Sequence, residues 1–485
     1  MLFNSLQFLF FLVVVATGFA FVRRHLRLRN TFLLLASYVF YGAWDWRFLG
    51  LILLSTLVDF SIAQRLPIAG ASLRRRLVLL SLLVNLGILG TFKYLDFGIE
   101  SLQLLARTLD WDLNPGTLGV ILPVGISFYT FQTIGYTLDV AAGRRKPVKS
   151  FLDFALFVAY FPQLVAGPIE RSTVLLPQLQ ELTHPGREHL RRGLLWVLSG
   201  YFLKVVCADT VAPLVDEAYA RADMIGGPVL FLATMAFAIQ IFADFAGYTL
   251  IARGVSEWFG IRLMENFRSP YISQSPREFW QRWHISLSTW FQQYLYTPLA
   301  LAFARRGWPG QSALPVFLTM TLIGLWHGAG WNFIVFGAFW GLWLALYGSY
   351  QHALSRRAQV NPSDLAVRWY RNRIPGAAPL KGLLVFAGTL VSFVFFRSPD
   401  FATALTILGS IATDWHRDPS FPFYLKTVFL LFALVWGYGW LQHRLKDPDF
   451  ILSLPAWIRW TAAFFVLLCL LTVGFRPVPF VYFQF

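Results

Sequence analysis

The chain has 485 residues, of which 56% are hydrophobic, 18% aromatic and only 14% charged, against roughly 25% charged in ordinary soluble domains. With a mean hydropathy of +0.55 it reads as an integral membrane protein. The formal charge of +16 then belongs to loops facing anionic lipid, and nucleic acid is not expected as a partner.

Ten-residue alternating segments, the mark of a membrane β-barrel, are absent, so the spans are helices. A helix crosses a hydrocarbon core about 30 Å thick with about 20 apolar residues. Runs of this kind are predicted near residues 6–22, 31–64, 77–95, 117–141, 151–167, 193–216, 228–247, 313–324, 329–350, 381–396, 424–442 and 457–474. The second is long enough for two helices around Asp45. The fold class is an all-α polytopic membrane protein with roughly 11 to 13 transmembrane helices, some of them short or re-entrant.

The first run has no basic stretch before it and is followed by "RRHLRLR" (23–29), so it reads as an uncleaved anchor. The positive-inside rule places the N-terminus outside and Arg23 to Arg29 in the cytoplasm. Two helices in 31–64 return Arg65 and Arg74 to Arg76 to the same side. Helix 77–95 leads outward to Asp96, Glu100, Asp110 and Asp112, and helix 117–141 returns to "GRRKPVK" (143–149).

No repeat of 20–50 residues is evident, so residues 1–485 read as one membrane domain. Its parts are N-terminal helices (1–150), a core carrying the chemistry (151–350) and C-terminal helices (381–485), with the polar, Pro-containing stretch 353–380 as the best boundary. Cys207 and Cys469 lie in apolar sequence, and no Cys/His spacing builds a metal site. Motifs for nucleotide hydrolysis or metalloproteolysis are missing.

Four stretches between 161 and 342 carry unusual residues. In "FPQLVAGPIER" (161–171), Pro162 and Pro168 interrupt an apolar run and free carbonyls that need partners at membrane depth. Either a broken segment lines a cavity, or a helix ends and Gln163, Glu170 and Arg171 are merely interfacial. In "FADFAGYT" (242–249), Asp244 sits inside a long apolar run. A carboxylate there needs a partner, an Arg or His from another segment, whether for function or as a structural ion pair.

In "SPREFWQRWHISLSTWFQQYLYTPL" (275–299), Trp280, Trp283, Leu287, Trp290 and Tyr294 recur on one helical face, with Arg277, Gln281, Arg282, His284 and Ser288 on the other. Ser275 and Glu278 make a capping box. One amphipathic helix at the interface is predicted, in which His284 alone reads as an ordinary interfacial histidine. The last stretch, "LIGLWHGAGWNF" (322–333), places His327 beside Trp326 within apolar sequence. Gly324 with Gly328 and Gly337 with Gly341 are GxxxG pairs that admit close backbone approach, and Asn332 extends the polar pattern. A packing seam explains the glycines but not the imidazole, because ionisable residues at membrane depth are functional-site candidates.

Together "FPQLVAGPIER", "DFAGY" with "ENFRSPYIS", "REFWQRWHISLSTWFQQYLYTPL" and "GLWHGAGWNFIVFGAFWGLW" resemble the membrane-bound O-acyltransferase (MBOAT) family, in its bacterial polysaccharide O-acetylation branch. "MLFNSLQFLFFL" and "FVFFRSPDFATALTIL" (393–408) extend the likeness to nearly the whole chain. The branch usually continues with a Gly-Gly-Asn stretch after "YLYTPL", where this chain has "ALAFARRGWPG" (300–310), so the acceptor polymer is open. The resemblance implies a bundle around a central tunnel, His327 as catalytic residue and His284 as a second motif residue. It also implies an acyl thioester such as acetyl-CoA as donor, an extracytoplasmic acyltransferase partner, and residence in the bacterial inner membrane.

Acyl transfer from a thioester to a hydroxyl needs a base near the attacking oxygen and donors for the developing oxyanion. His327, neutral when desolvated, suits the base, with His284 polarising the acyl group or acceptor. Asp244 is a candidate to tune an imidazole, and Gln163, Pro168, Trp326, Gly328, Asn332 and Ser288 are candidate tunnel-lining residues. The same branch includes acyltransferases of teichoic-acid D-alanylation, which is the nearest alternative. A solute or lipid transporter that uses Asp244, His284 and His327 as a relay is a further one.

Overall fold

The computed structural model describes every residue except 112, 114, 166, 308–312, 362, 417, 448, 474–478 and 482–485. Asp112 and the end of the "ALAFARRGWPG" stretch therefore lie outside the described residues. Among the described residues all regular structure is helical. Seven helical stretches are long and apolar enough to cross a membrane, four shorter apolar helices accompany them, and Leu26–Ile68 holds two helices of its own. Among the described residues this makes 11 or 12 apolar helices, inside the expected roughly 11 to 13.

The chain packs as two compact units that interleave along the sequence. The first comprises Met1–Tyr201, Gly247–Met264 and Val466–Pro479; the second comprises Phe202–Ala246, Glu265–Phe465 and Phe480–Phe485. The polar stretch 353–380 lies inside the second unit.

In the first unit, Leu6–Val22 starts where the Ser5 hydroxyl accepts from the Phe8 N–H at 3.2 Å. The run 31–64 divides at Asp45, as predicted: Leu26–Asp45 ends, Trp46–Phe48 turns, and Leu49–Arg65 returns. The Asp45 carboxylate accepts from the Arg47 N–H at 3.0 Å to hold that turn. Helix Ile126–Ala141 starts later than the apolar run did, because Gly125 takes a φ of 76° at its N-terminus. A Cβ there would stand 2.6 Å from the Leu164 carbonyl oxygen, so only glycine fits.

Polar groups join these helices. Asp59 of Leu49–Arg65, fully buried, accepts from Ser81, from Asn85 at 2.6 Å and from Thr137 at 2.6 Å, three bonds across helices of the kind that hold membrane helices together. Unlike Arg24 and Arg27 of the same basic stretch, Arg29 is not exposed. It is fully buried, and its guanidinium donates to the carbonyls of Leu179 (2.7 Å) and Glu181 (2.8 Å). It thereby satisfies the C-terminal end of helix Ser172–Gln180, where carbonyls have no helical partner.

In the second unit, Ala313–His327 and Trp331–Val360 form an antiparallel hairpin. The glycines pair across it: a Cβ on Gly324 would lie 2.8 Å from the Gly337 Cα, and one on Gly341 would lie 2.8 Å from the Phe317 Cα. Gly324 and Gly337 thus serve the close approach expected of small residues. Gly328 lies past the end of its helix, against the Phe333 ring.

The amphipathic helix predicted over 275–299 is broken. Pro276–Arg282 and Ile285–Phe291 are separate helices, with His284 between them at φ 42° and ψ 56°, and a π-helical turn follows at Gln292–Tyr296. The break is stabilised from outside the stretch. The Asn266 carbonyl accepts from the Ile285 N–H at 2.9 Å and its side-chain oxygen from the Ser286 N–H at 3.2 Å, while the Arg268 N–H donates to the Arg282 carbonyl at 2.9 Å. These bonds replace those that a left-handed residue removes from a helix. The capping box does form, with the Ser275 hydroxyl accepting from the Glu278 N–H at 3.1 Å and Glu278 reaching back to the Gln274 N–H at 2.8 Å.

Candidate active site

Both motif histidines lie in the second unit, and its folding brings their surroundings together. His327 is the last residue of Ala313–His327 and is 3% exposed. Its ring packs edge-on against Phe396 (centroids 5.1 Å apart) and Phe336 (5.8 Å). His284 is 0% exposed and stands edge-on to Phe245 at 4.6 Å. The Trp326 indole is in ring contact with both imidazoles, at 4.9 Å from His327 and 5.9 Å from His284. Two histidines 43 positions apart therefore share one aromatic wall.

The backbone at His284 is left-handed, a conformation that costs a residue bearing a Cβ about 1–3 kcal/mol and that clusters at functional sites. Burial drives its imidazole down to about 3, so the ring is neutral and offers a lone pair at physiological pH. The sign of the pH effect follows. Between about 3 and the ordinary 6.5, the unfolded chain takes up a proton that the folded chain refuses, so stability falls as pH is lowered through that window. Thermal unfolding in detergent between pH 7 and pH 4 should show a shallower acid loss for His284→Gln than for wild type.

A cavity of about 240 Å³ opens beside the pair, lined in part by Ser288, Ile323, Arg277, Gln281, Gln292 and Gln351. Ser288 is one helical turn beyond His284, its N–H donating to the His284 carbonyl at 2.9 Å. Ile323 is one turn before His327 on the same helix face. The cavity wall thus includes residues one helical turn along the chain from each histidine, with polar side chains and the cationic Arg277 elsewhere on it.

The other candidates are placed as follows. Ser288 lines the cavity, and its hydroxyl donates to the Trp283 carbonyl at 3.2 Å. Asn332 is buried and donates to the carbonyls of Phe395 (3.2 Å) and Ser398 (2.8 Å), which ties the hairpin to the end of helix Ala377–Arg397. Its amide is a brace. Gln163 and Pro168 are buried in the first unit, where the Gln163 amide donates to the Phe157 carbonyl at 2.8 Å. The break predicted at Pro162 and Pro168 is real: Phe151–Ala159 ends, and only Phe161–Leu164 follows as a helical turn. Glu170 is buried as well, not interfacial. It accepts from the Met264 N–H at 2.6 Å, and burial pushes its carboxyl up to about 8 against the opposing pull of Arg253 and Arg171.

Asp244 has the ionic partner that its burial required, but it is a lysine. Lys204 stands 2.9 Å from Asp244 and 2.8 Å from Asp209, with all three side chains under a tenth exposed. The second Asp244 oxygen accepts from the Val481 N–H at 2.6 Å, and Phe480, next to it, packs 5.4 Å from Phe245. Lys204, Asn266 and Phe480 thus support this region without having been singled out from sequence. A lysine inside the apolar run 193–216 was a visible signal for the first; nothing local marked the other two.

The family model described as MBOAT, membrane-bound O-acyltransferase family, matches residues 142–370, which contain both histidines. The chain is 35% identical over 449 residues to the probable alginate O-acetylase AlgI of Azotobacter vinelandii, covering 90% of this chain and 85% of that protein. It is 38% identical over 407 residues to the probable alginate O-acetylase AlgI of Pseudomonas aeruginosa (83% and 73%). It is also 31% identical over 439 residues to the peptidoglycan O-acetyltransferase of Helicobacter pylori (84% and 79%).

Proposed function

Because this chain belongs to the membrane-bound O-acyltransferase family and is therefore a multi-pass membrane acyltransferase, we propose that it passes an acetyl group from a cytoplasmic thioester across the bacterial inner membrane, for O-acetylation of an exported polysaccharide of the alginate kind. One observation supports this above the rest: the Trp326 indole is in ring contact with both imidazoles, and a cavity in the same unit has wall residues one helical turn along the chain from each histidine.

In this reading His327 takes the proton from an acceptor hydroxyl as its oxygen attacks the thioester carbonyl. The ester C–O bond forms, the C–S bond breaks, and the departing thiolate receives the proton from the imidazolium. Neutral His284, held by the left-handed turn, orients the acyl group or the acceptor. The dry aromatic surroundings strengthen each polar interaction at the carbonyl. At about 30 Å³ for each water, a cavity of about 240 Å³ holds the acylated end of a donor such as acetyl-CoA while its nucleotide stays outside. Arg277 on the wall suits an anionic donor. The acceptor hydroxyl belongs to an extracytoplasmic partner acyltransferase, which hands the group to the polymer.

Ile323→Trp narrows the cavity from its wall. Thiol release from acetyl-CoA by membranes bearing this variant should fall at least tenfold at unchanged protein level, mostly through a raised KM. Unaltered turnover would remove the donor from this cavity.

A further inference from the structure

A second and larger cavity in the same unit takes no part in the proposed chemistry. It has a volume of about 780 Å³ and follows one face of helix Ala377–Arg397 from Ala378 to Val394. Sixteen residues at 1.5 Å each make that path about 24 Å long. Its walls are almost wholly apolar and come from helix Gly227–Trp258, Phe401–Thr413 and Phe421–Leu445 as well. Several wall residues, Leu383, Trp436 and Trp440 among them, are also exposed at the surface, so the cavity opens sideways onto the apolar flank that a membrane would cover.

One end of this cavity differs from the rest. Gln274 and His443 line it there, and basic side chains gather around them. Arg282 is 3.4 Å from the His443 Nδ1. Lys381, next to Gly382 of the wall, donates to the Tyr370 carbonyl at 3.1 Å. The Asn372 amide donates to Gln274 at 2.7 Å, which brings the exposed Arg371 and Arg373 to the same end. Arg444 follows His443. Glu278 pairs with Arg282 at 2.8 Å, and Asp447 and Asp449 follow Arg444 and Lys446, so basic residues outnumber acidic ones at this end.

We propose that this cavity is a binding site for an anionic membrane phospholipid, with its acyl chains in the apolar groove and its phosphate at the His443 and Gln274 end. Charge complementarity decides the occupant. A long apolar groove alone accepts any lipid, whereas a rim carrying Arg282, Lys381, Arg371, Arg373 and Arg444 favours a headgroup with net negative charge. The positive-inside rule puts such a rim at the cytoplasmic face, where anionic lipid makes the surface potential negative. Each engaged Lys or Arg is expected to enrich an anionic over a zwitterionic lipid about fivefold.

Gly382 supplies the test. A Cβ placed there meets nothing closer than the Ser273 carbonyl oxygen at 3.8 Å, so a larger side chain grows into the cavity and leaves the protein backbone undisturbed. The full chain is purified in mild detergent from cells with mixed lipids, and the phospholipid retained per protein is extracted and separated by headgroup. Wild type is expected to retain phosphatidylglycerol or cardiolipin enriched at least fivefold over its share in the membrane. Gly382→Leu should lose most of it, and Leu384→Phe, on the exposed face of the same helix, should keep it. Retained lipid that mirrors the membrane composition, or equal retention by Gly382→Leu, overturns the proposal.

A second measurement does not depend on that variant. Brominated phosphatidylglycerol added to wild type should quench the fluorescence contributed by Trp436 and Trp440 at lower mole fraction than brominated phosphatidylcholine does, read as the difference from Trp436→Phe/Trp440→Phe. Equal quenching by the two lipids is the contrary result.

Discussion

Lys204→Met is expected to be the most damaging single substitution in the second unit. It removes the cation that stands between two buried carboxylates, Asp244 and Asp209, and breaking a buried ion pair on one side costs about 3–5 kcal/mol. That is a large share of the 5–15 kcal/mol by which a typical protein is stable. The level of folded protein in membranes, read by fluorescence-detected size-exclusion chromatography, should fall steeply. The triple change Lys204→Met, Asp244→Asn, Asp209→Asn should recover much of it, because the loss comes from stranded charge and not from missing volume. If Lys204→Met is as abundant and as heat-stable as wild type, the triad does not hold this region together.

His327→Ala is expected to separate chemistry from folding. The ring packs among Trp326, Phe336 and Phe396, so truncation leaves a small void whose cost is modest beside the loss of a general base, worth about 10²–10⁴ in rate. Acetyl transfer by purified protein should drop by that factor while the unfolding temperature moves by only a few degrees. His284→Ala should lower the rate as well. The double variant should be scarcely slower than the worse single one, since groups that act as a unit are far from additive. A transporter reading would instead leave thioester turnover absent in wild type.

How much of this was legible beforehand depends on where the determining contacts lie. Most of the spans were, because an apolar run of about 20 residues is a local property, but the runs 117–141 and 151–167 form the shorter helices Ile126–Ala141 and Phe151–Ala159. Asp45 divides its run as expected since its carboxylate serves a turn two residues away. The break at His284 was not legible. Trp280, Trp283 and Leu287 keep a helical spacing straight through it, and the bonds that stabilise it come from Asn266 and Arg268. Arg29 read as part of a cytoplasmic basic stretch, and its burial was not legible because its acceptors lie some 150 positions away, in the carbonyls of Leu179 and Glu181.

The candidate site divides in the same way. His327 stood out because an imidazole in apolar sequence is rare, whereas His284 alone read as an ordinary interfacial histidine, and the resemblance to the family attached a role to each. Their common neighbour Trp326 follows from one of them, being adjacent to His327. That Asn332 would act as a brace, and that Asp244 would pair with Lys204, could not be read from a single chain: both depend on which helices meet.

The most direct test of the account is the ester acetyl content of extracellular polysaccharide from a deletion strain complemented with wild type, His327→Ala or His284→Ala, with each protein's membrane level measured alongside. The expected result is that His327→Ala reaches wild-type abundance in the membrane yet leaves the polymer without ester acetyl. Wild-type ester content in that strain would show the imidazole to be structural and would contradict the proposed chemistry.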